Sequence, residues 1–140
     1  MNASFFLDTN IFVYSFDRDS PAKSRRATQL ITEGITTGKG KISYQVVQEF
    51  FNVAFRRFTT PMSPAEAEEY LAAALQPMLA VHSSRALFAE AIRVRHRHRL
   101  AWYDALIVAS ALQAGCRVLY SEGLHHGHRF GDLQVENPFA

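Results

Sequence analysis

The sequence predicts an α/β fold, a three-layer α/β/α sandwich around a mainly parallel sheet of about five strands. Three observations predict it. Apolar runs too short for helices recur at Ser4–Leu7, Lys41–Ser43, Met78–Val81, Arg117–Tyr120 and Leu133–Val135. Longer stretches with apolar residues three and four apart separate them. Serine and proline start signals stand at the heads of those stretches. Strands joined through helices need crossover connections, and crossovers make parallel sheets covered on both faces.

The elements follow in order. Phe5-Phe6-Leu7 is a buried strand closed by Asp8, with a loop expected after it. Ser20-Pro21 offers an N-cap and a first-turn proline for a helix that runs through Ile31 and stops at Gly34. After the brief strand ending at Ser43, Gln45 to about Phe58 is helical, with Val46, Val47, Phe50, Phe51, Ala54 and Phe55 as its apolar positions. Ser63-Pro64-Ala65-Glu66 is a capping box, and its helix is expected to end near Pro77. A helix from Ser83 or Ser84 continues to about Arg97. The stretch from Asp104 to Ala114 is apolar almost all round, as a deeply packed helix is, and Gly115 is its left-handed stop.

Composition bounds the function. With 140 residues, 48% of them apolar and 20% charged, the chain reads as a single globular domain, 1–140, and not as a disordered one. Fifteen basic against 13 acidic residues leave +2, too little to declare a nucleic-acid binder from bulk charge. The single cysteine, Cys116, suggests a packed thiol in a reducing compartment. Met1-Asn2-Ala3-Ser4 carries no basic cluster, Asp8 interrupts the apolar stretch a secretory signal needs, and no apolar run approaches the roughly 20 residues of a membrane span. A cytoplasmic protein without membrane attachment is expected.

The acidic residues are more informative. In a parallel sheet the crossover helices begin along the edge where strands end, which is where open α/β folds bind ligands. Asp8 ends the first strand, Glu49 lies in the first two turns of the helix leaving the second, Asp104 heads the helix leading to the strand at Val118, and Glu122 follows that strand's end. Taken singly, Asp8 is a strand terminator, Asp104 an N-cap, Glu49 part of a polar stripe with Gln45, Asn52 and Arg56, and Glu122 a turn residue. Together they gather on one edge, and Asp104 does so among Trp102, Tyr103, Leu106 and Ile107, where an unpaired carboxylate is costly. Clustered carboxylates raise one another's proton affinity unless a cation neutralises them. No lysine is near any of the four in sequence, so a hard divalent ion, Mg²⁺ or Mn²⁺, is the economical counter-charge. Such an ion would activate water for in-line attack on a phosphodiester, so nucleic-acid hydrolysis is the reaction expected.

Phe6-Leu7-Asp8-Thr9-Asn10-Ile11-Phe12, Glu49 within Val47-Gln48-Glu49-Phe50, and Trp102-Tyr103-Asp104-Ala105-Leu106-Ile107 resemble the first three acidic motifs of PIN-domain ribonucleases. Leu119-Tyr120-Ser121-Glu122 resembles the start of the fourth, and order, spacing and length are most similar to VapC-like toxins of type II toxin–antitoxin pairs. The resemblance implies an Mg²⁺- or Mn²⁺-dependent endoribonuclease with Asp8, Glu49 and Asp104 on the metal. It also implies that Asn10 and Ser121 orient ligands or water by hydrogen bonds, that the chain forms a homodimer, and that a cognate antitoxin blocks the site. One position departs: Gly123 stands where the fourth motif has an aspartate. Glu122 then substitutes, the site works with three carboxylates, or catalysis is weakened and a PIN-like RNA-binding module remains.

Basic residues offer phosphate contacts. The segment holding Arg93, Arg95, His96, Arg97, His98 and Arg99 is the densest, and Arg95 and Arg97 are its candidate RNA contacts; Arg56 and Arg57, closer to Glu49, come next, then Lys23, Arg25 and Arg26. His125-His126-Gly127-His128 is too tightly spaced for the usual zinc sites and reads instead as a loop at the rim of the acidic edge. Phe50, Phe51, Phe55, Phe58 and Phe88 read as core or dimer surface. Two other enzyme classes place an aspartate after a first strand. A haloacid-dehalogenase-type phosphatase wants a second aspartate where Asn10 stands, and a phospho-relay receiver wants paired acids and a lysine.

Overall fold

The computed structural model describes residues 3–140; Met1 and Asn2, which entered the reading of the N-terminus, lie outside the described residues. Its centre is a six-stranded sheet in the order β3-β2-β1-β4-β6-β5. The strands are β1 (Phe5–Leu7), β2 (Gly40–Ser43), β3 (Leu79–Val81), β4 (Val118–Tyr120), β5 (Arg129–Phe130) and β6 (Leu133–Glu136). Pairings β1–β2, β2–β3, β1–β4 and β4–β6 are parallel, and the two-residue β5 adds to β6 in the antiparallel sense. The expected mainly parallel α/β sheet is thus present, with five parallel strands and one short antiparallel edge strand that follows the histidine loop. The helices are α1 (Thr9–Tyr14), α2 (Pro21–Thr37), α3 (Tyr44–Arg56), α4 (Pro64–Tyr70), α5 (Arg85–His98) and α6 (Trp102–Gln113).

Right-handed crossovers explain the layering. The chain steps outward from β1 to β2 to β3 with α1 to α4 on one face. It then returns past β1 to β4, and that reversal places α5 and α6 on the other face. The packing agrees, with α1 against α2 and α3, and α5 along α6. One apolar core joins both faces through the sheet: Phe6, Leu7, Ile42 and Leu119 from the strands and Ile11, Phe12, Val46 and Phe50 from the helices are fully buried. Within α6, Ala105 to Ala111 are buried without a break, as its all-round apolar sequence requires. Among the described residues no helix is long and apolar enough to cross a membrane.

Several boundaries differ from the sequence reading. The expected loop after Asp8 is instead α1, because the Asp8 side chain accepts from the Thr9 backbone N–H and caps a helix of six residues. Helix α2 does not stop at Gly34. That glycine lets the helix approach the strand: a Cβ built on Gly40 would lie 2.5 Å from the Gly34 Cα. Helix α2 ends at Gly38, which adopts the left-handed conformation at φ 70°. The capping box at Ser63 forms as expected, but the α-helix it opens is short. A π-helical turn over Leu71–Leu75 and a 3₁₀ turn over Gln76–Met78 complete the descent into β3. Helix α6 begins at Trp102 behind the cap residue Ala101, so Asp104 is the third residue of its first turn and not its N-cap.

Candidate active site

Strands β1 and β4 are neighbours whose onward connections leave toward opposite sides of the sheet. This is the point at which open α/β sheets leave a crevice at the strand ends. Asp8 sits there, held in the sheet by its backbone N–H donating to the Tyr120 carbonyl at 3.0 Å. Its carboxylate is fixed on both oxygens. The Thr9 N–H donates to Oδ1 at 2.7 Å, and the Ser121 hydroxyl, from the residue after β4, donates to Oδ2 at 2.7 Å. Ser121 is fully buried, and its oxygen also accepts from the Leu124 N–H at 3.3 Å.

Glu49 arrives from α3. Phe50, one residue on, is buried in a cluster with Phe12, Phe16, Phe58 and a stacked Tyr70 at 5.1 Å. That anchor sets the rotation of the helix about its axis, and Glu49 falls beside the capped start of α1. The Thr9 hydroxyl donates to Glu49 Oε1 at 2.6 Å. The Gln45 amide, one turn earlier on α3, donates to Glu49 Oε2 at 3.3 Å and to the Tyr103 carbonyl at 3.1 Å, which ties α3 to the first turn of α6 beside Asp104. A continuous chain of hydrogen bonds therefore runs from Ser121 through Asp8, Thr9, Glu49 and Gln45 to Tyr103. The sequence names Thr9 only within the first motif and Gln45 only as part of a polar stripe with Glu49, without a site role for either. Position 9, between Asp8 and Asn10, and the four-residue spacing from Gln45 to Glu49 were the available signals.

The electrostatics follow from this crowding. Burial pushes the Asp8 carboxyl up to about 6; its bonds to Ser121 and Thr9 work against that, and the charges of Glu49 and Asp104 add to it. Asp104 is also raised, first by burial and then by Glu49. Asp8 thus feels both other carboxylates and Asp104 feels Glu49, and no basic side chain contributes to the shift of Asp8 or Asp104.

Glu122 is different. Its carboxylate accepts from the Tyr14 hydroxyl and from Lys23 Nζ at 2.7 Å, and these two donors lower its pKa. The expectation that no lysine lies near the four acidic residues is corrected here: Lys23 of α2 packs its ammonium over the Tyr14 ring, 4.5 Å from the centroid, and reaches Glu122 across 99 positions of sequence. The structure brings Asp8, Glu49 and Asp104 into one group and gives Glu122 to a separate one.

Whether the three could hold a divalent ion depends on their donors. All are oxygens, which suits Mg²⁺ or Mn²⁺. Two residues after Asp8 in the chain, Asn10 Oδ1 is buried without a hydrogen-bond partner among the described residues, an acceptor that a water on such an ion would satisfy. No group of three or more His, Cys, Asp or Glu side chains among the described residues is already arranged as a metal cage. The donor chemistry fits a hard cation, and the side chains would have to close on it.

The remaining candidates lie outside this network. Arg56 and Arg57 are exposed at the end of α3, and Arg95 and Arg97 are exposed in the last turn of α5. The histidine loop packs elsewhere than on the acidic group. His128 meets His98 at 3.1 Å and stacks on Phe130, while His126 accepts from the Asn137 N–H at 2.9 Å. Of the phenylalanines, Phe50 is core, and Phe55 and Phe88 are exposed.

Known proteins bear out the fold. A family model described as PIN domain matches residues 5–126. A toxin–antitoxin complex from Klebsiella pneumoniae superposes with a TM-score of 0.68 at 19% identity, covering 96% of this chain and 98% of that one. Mycobacterium tuberculosis VapC20, described as a sarcin-ricin loop cleaving toxin, gives 0.58 at 22% identity over 84% and 88% of the two chains. VapBC2 from Rickettsia felis, bound to a DNA fragment from its promoter, gives 0.62 at 17% identity over 95% and 97%. No curated protein matches the sequence.

Proposed function

The chain belongs to the PIN domain family, and from that premise we propose that it is a metal-dependent endoribonuclease, the toxin of a toxin–antitoxin pair, working in the cytoplasm. The observation that carries the reading is the meeting of Asp8, Glu49 and Asp104 at the sheet's switch point, mutually coupled and without a basic partner. Family membership leaves the phosphatase and receiver alternatives without support.

In this reading Asp8, Glu49 and Asp104 hold Mg²⁺ or Mn²⁺. When bound, the ion would supply an activated water and stabilise the departing oxygen of a phosphodiester. The chain's own residues prepare the place. Ser121 and Thr9 fix the two oxygens of Asp8. Thr9 and Gln45 hold Glu49 toward it. Asn10 offers its free acceptor to a water. Exposed Arg56, Arg57, Arg95 and Arg97 are the candidates to bind RNA phosphates. Glu122, engaged by Lys23 and Tyr14, acts as a strut for the segment that carries Ser121. The toxin–antitoxin descriptions of the similar structures support an antitoxin as partner, while the homodimer is expected from the family resemblance alone.

The test is cleavage of total RNA by the full chain with Mn²⁺ or Mg²⁺ and again with EDTA, beside Asp8→Asn and Asp104→Asn. Chelator-sensitive cleavage lost in both variants is expected. A second reading, a PIN-like module that binds RNA without cutting it, is favoured by Gly123, where the fourth motif's aspartate is absent. RNA binding with no metal-dependent cleavage would select it.

A further inference from the structure

The end of α5 carries more positive charge than a helix terminus needs. Arg93 donates to Glu90 at 2.9 Å and is neutralised. Arg95, Arg97 and Arg99 are exposed and have no ion-pair partner among the described residues. With His96 and Leu100 they line an open cleft of ≈ 540 Å³. The C-terminus of a helix presents only about half a negative charge. Three guanidinium groups exceed that several-fold, so dipole compensation leaves most of their charge unexplained.

The backbone supplies an independent observation. Arg99 adopts the left-handed conformation at φ 56° and ψ 48°, where its N–H returns to the Arg95 carbonyl. Among the described residues it is the only non-glycine with positive φ, while Gly38, Gly115, Gly127 and Gly131 fill the other such positions. A glycine would close the helix with less strain. The chain accepts the strain at the residue whose side chain joins two other free guanidinium groups.

Arg99 stands two residues before Ala101, the cap of α6, and five before Asp104. Five residues span at most roughly 17 Å, and less here because 102–104 is helical. The backbone at Arg99 is thus no farther than that from Asp104, and we take this nearness as the reason an RNA strand held at Asp104 would meet the cleft with a nearby phosphate. Guanidinium groups suit them, being planar and able to donate two bonds to one phosphate.

We propose that Arg95, Arg97 and Arg99 form a phosphate-binding surface that seats the RNA backbone beside Asp104, and that arginine is kept at position 99 for this contact at the expense of stability. The inference rests on the ribonuclease reading for its substrate, and it is separable by experiment. The full chain is titrated with a fluorescein-labelled 20-nucleotide RNA of mixed sequence in EDTA, which removes metal-dependent cleavage, over a series of KCl concentrations.

Arg99→Gly is expected to raise the midpoint of thermal unfolding by roughly 4 °C. It is also expected to weaken RNA binding about five- to tenfold and flatten the plot of log affinity against log salt by about one. Arg95→Gln and Arg97→Gln weaken binding similarly without raising the midpoint. Wild-type affinity and salt slope in Arg99→Gly overturn the proposal, as does a lowered midpoint. If the wild type cleaves with Mn²⁺ while the three variants bind as it does, the surface is refuted and the nuclease reading stands. If the wild type binds in this pattern but never cleaves, the nuclease reading fails and the surface stands. No RNA binding by the wild type in EDTA refutes the surface, and cleavage with Mn²⁺ alone then decides the nuclease reading.

Discussion

Asp8 is asked to be a strand end, a helix cap and a charged ligand at once, and the roles conflict. Its folded pKa of about 6 lies above the 3.8 expected in the unfolded chain, so near pH 5 the folded protein keeps a proton that the unfolded chain releases. Stability from that proton is fully present below about pH 4 and is lost as pH rises through about 6. Ionised Asp8 then costs the metal-free fold of order 1–2 kcal/mol, after allowing for water reaching this half-buried residue. Asp8→Asn keeps the cap, since asparagine caps as well as aspartate. Without metal, that variant should melt above the wild type at pH 7 and show a shallower decline as pH rises from 4, the remainder coming from Asp104, as followed by circular dichroism. Lower stability of the variant at pH 7 would mean that Asp8 is not held under electrostatic stress.

Gly123 allows the opposite experiment. Its backbone is not left-handed, and a Cβ there meets nothing within 4 Å. Gly123→Asp should change stability by less than about 0.5 kcal/mol. It should tighten Mn²⁺ binding at least threefold by calorimetry, if a fourth carboxylate reaches the ion. Unchanged affinity would place position 123 outside the metal's reach.

At the scale of elements, close approach decides what neighbouring sequence conceals. Gly40→Ala would drive a methyl group into the Gly34 backbone and force α2 away from β2, at a cost of about 2–3 kcal/mol read as a lower denaturant midpoint. A wild-type midpoint would show that helix and strand can part freely. The Tyr14–Glu122–Lys23 group ties α1 and α2 to the segment after β4. Glu122→Gln is expected to keep Mn²⁺ affinity within about twofold of wild type, whereas Asp104→Asn abolishes uptake. Loss of uptake in Glu122→Gln would return that residue to the metal set.

These cases show why the sequence was readable in part. Asp8, Glu49 and Asp104 could be placed on one edge because strand ends and helix starts share it in any parallel sheet, whatever their separation along the chain. Helix α1 leaves little mark on the sequence because a helix of six residues carries little periodicity and its cap, Asp8, also serves as the terminator of a strand. Gly34 looked like a stop because its partner, Gly40, is six residues away and visible only once helix and strand are packed. The partnership of Lys23 with Glu122 arises from α2 folding back over α1, and no local pattern records it.

For the whole molecule, the balance of charges leaves three acids together without a local counter-charge in a fold that is otherwise well packed. Binding of an ion to the folded chain alone should therefore stabilise it. At 100 times its dissociation constant a ligand adds about 2.7 kcal/mol. For a chain of this length that is roughly 8 °C in the melting midpoint, reversible with EDTA. A midpoint indifferent to Mn²⁺ would count against the proposed cofactor.

The sheet's two rims are both stubs, three residues at β3 and two at β5. A rim that short has almost no unpaired main-chain ladder to lend to a stranger. Copies crowded together at high concentration thus have no template for strand exchange or fibril growth, and any lasting contact between them must be made through side chains on helices and loops.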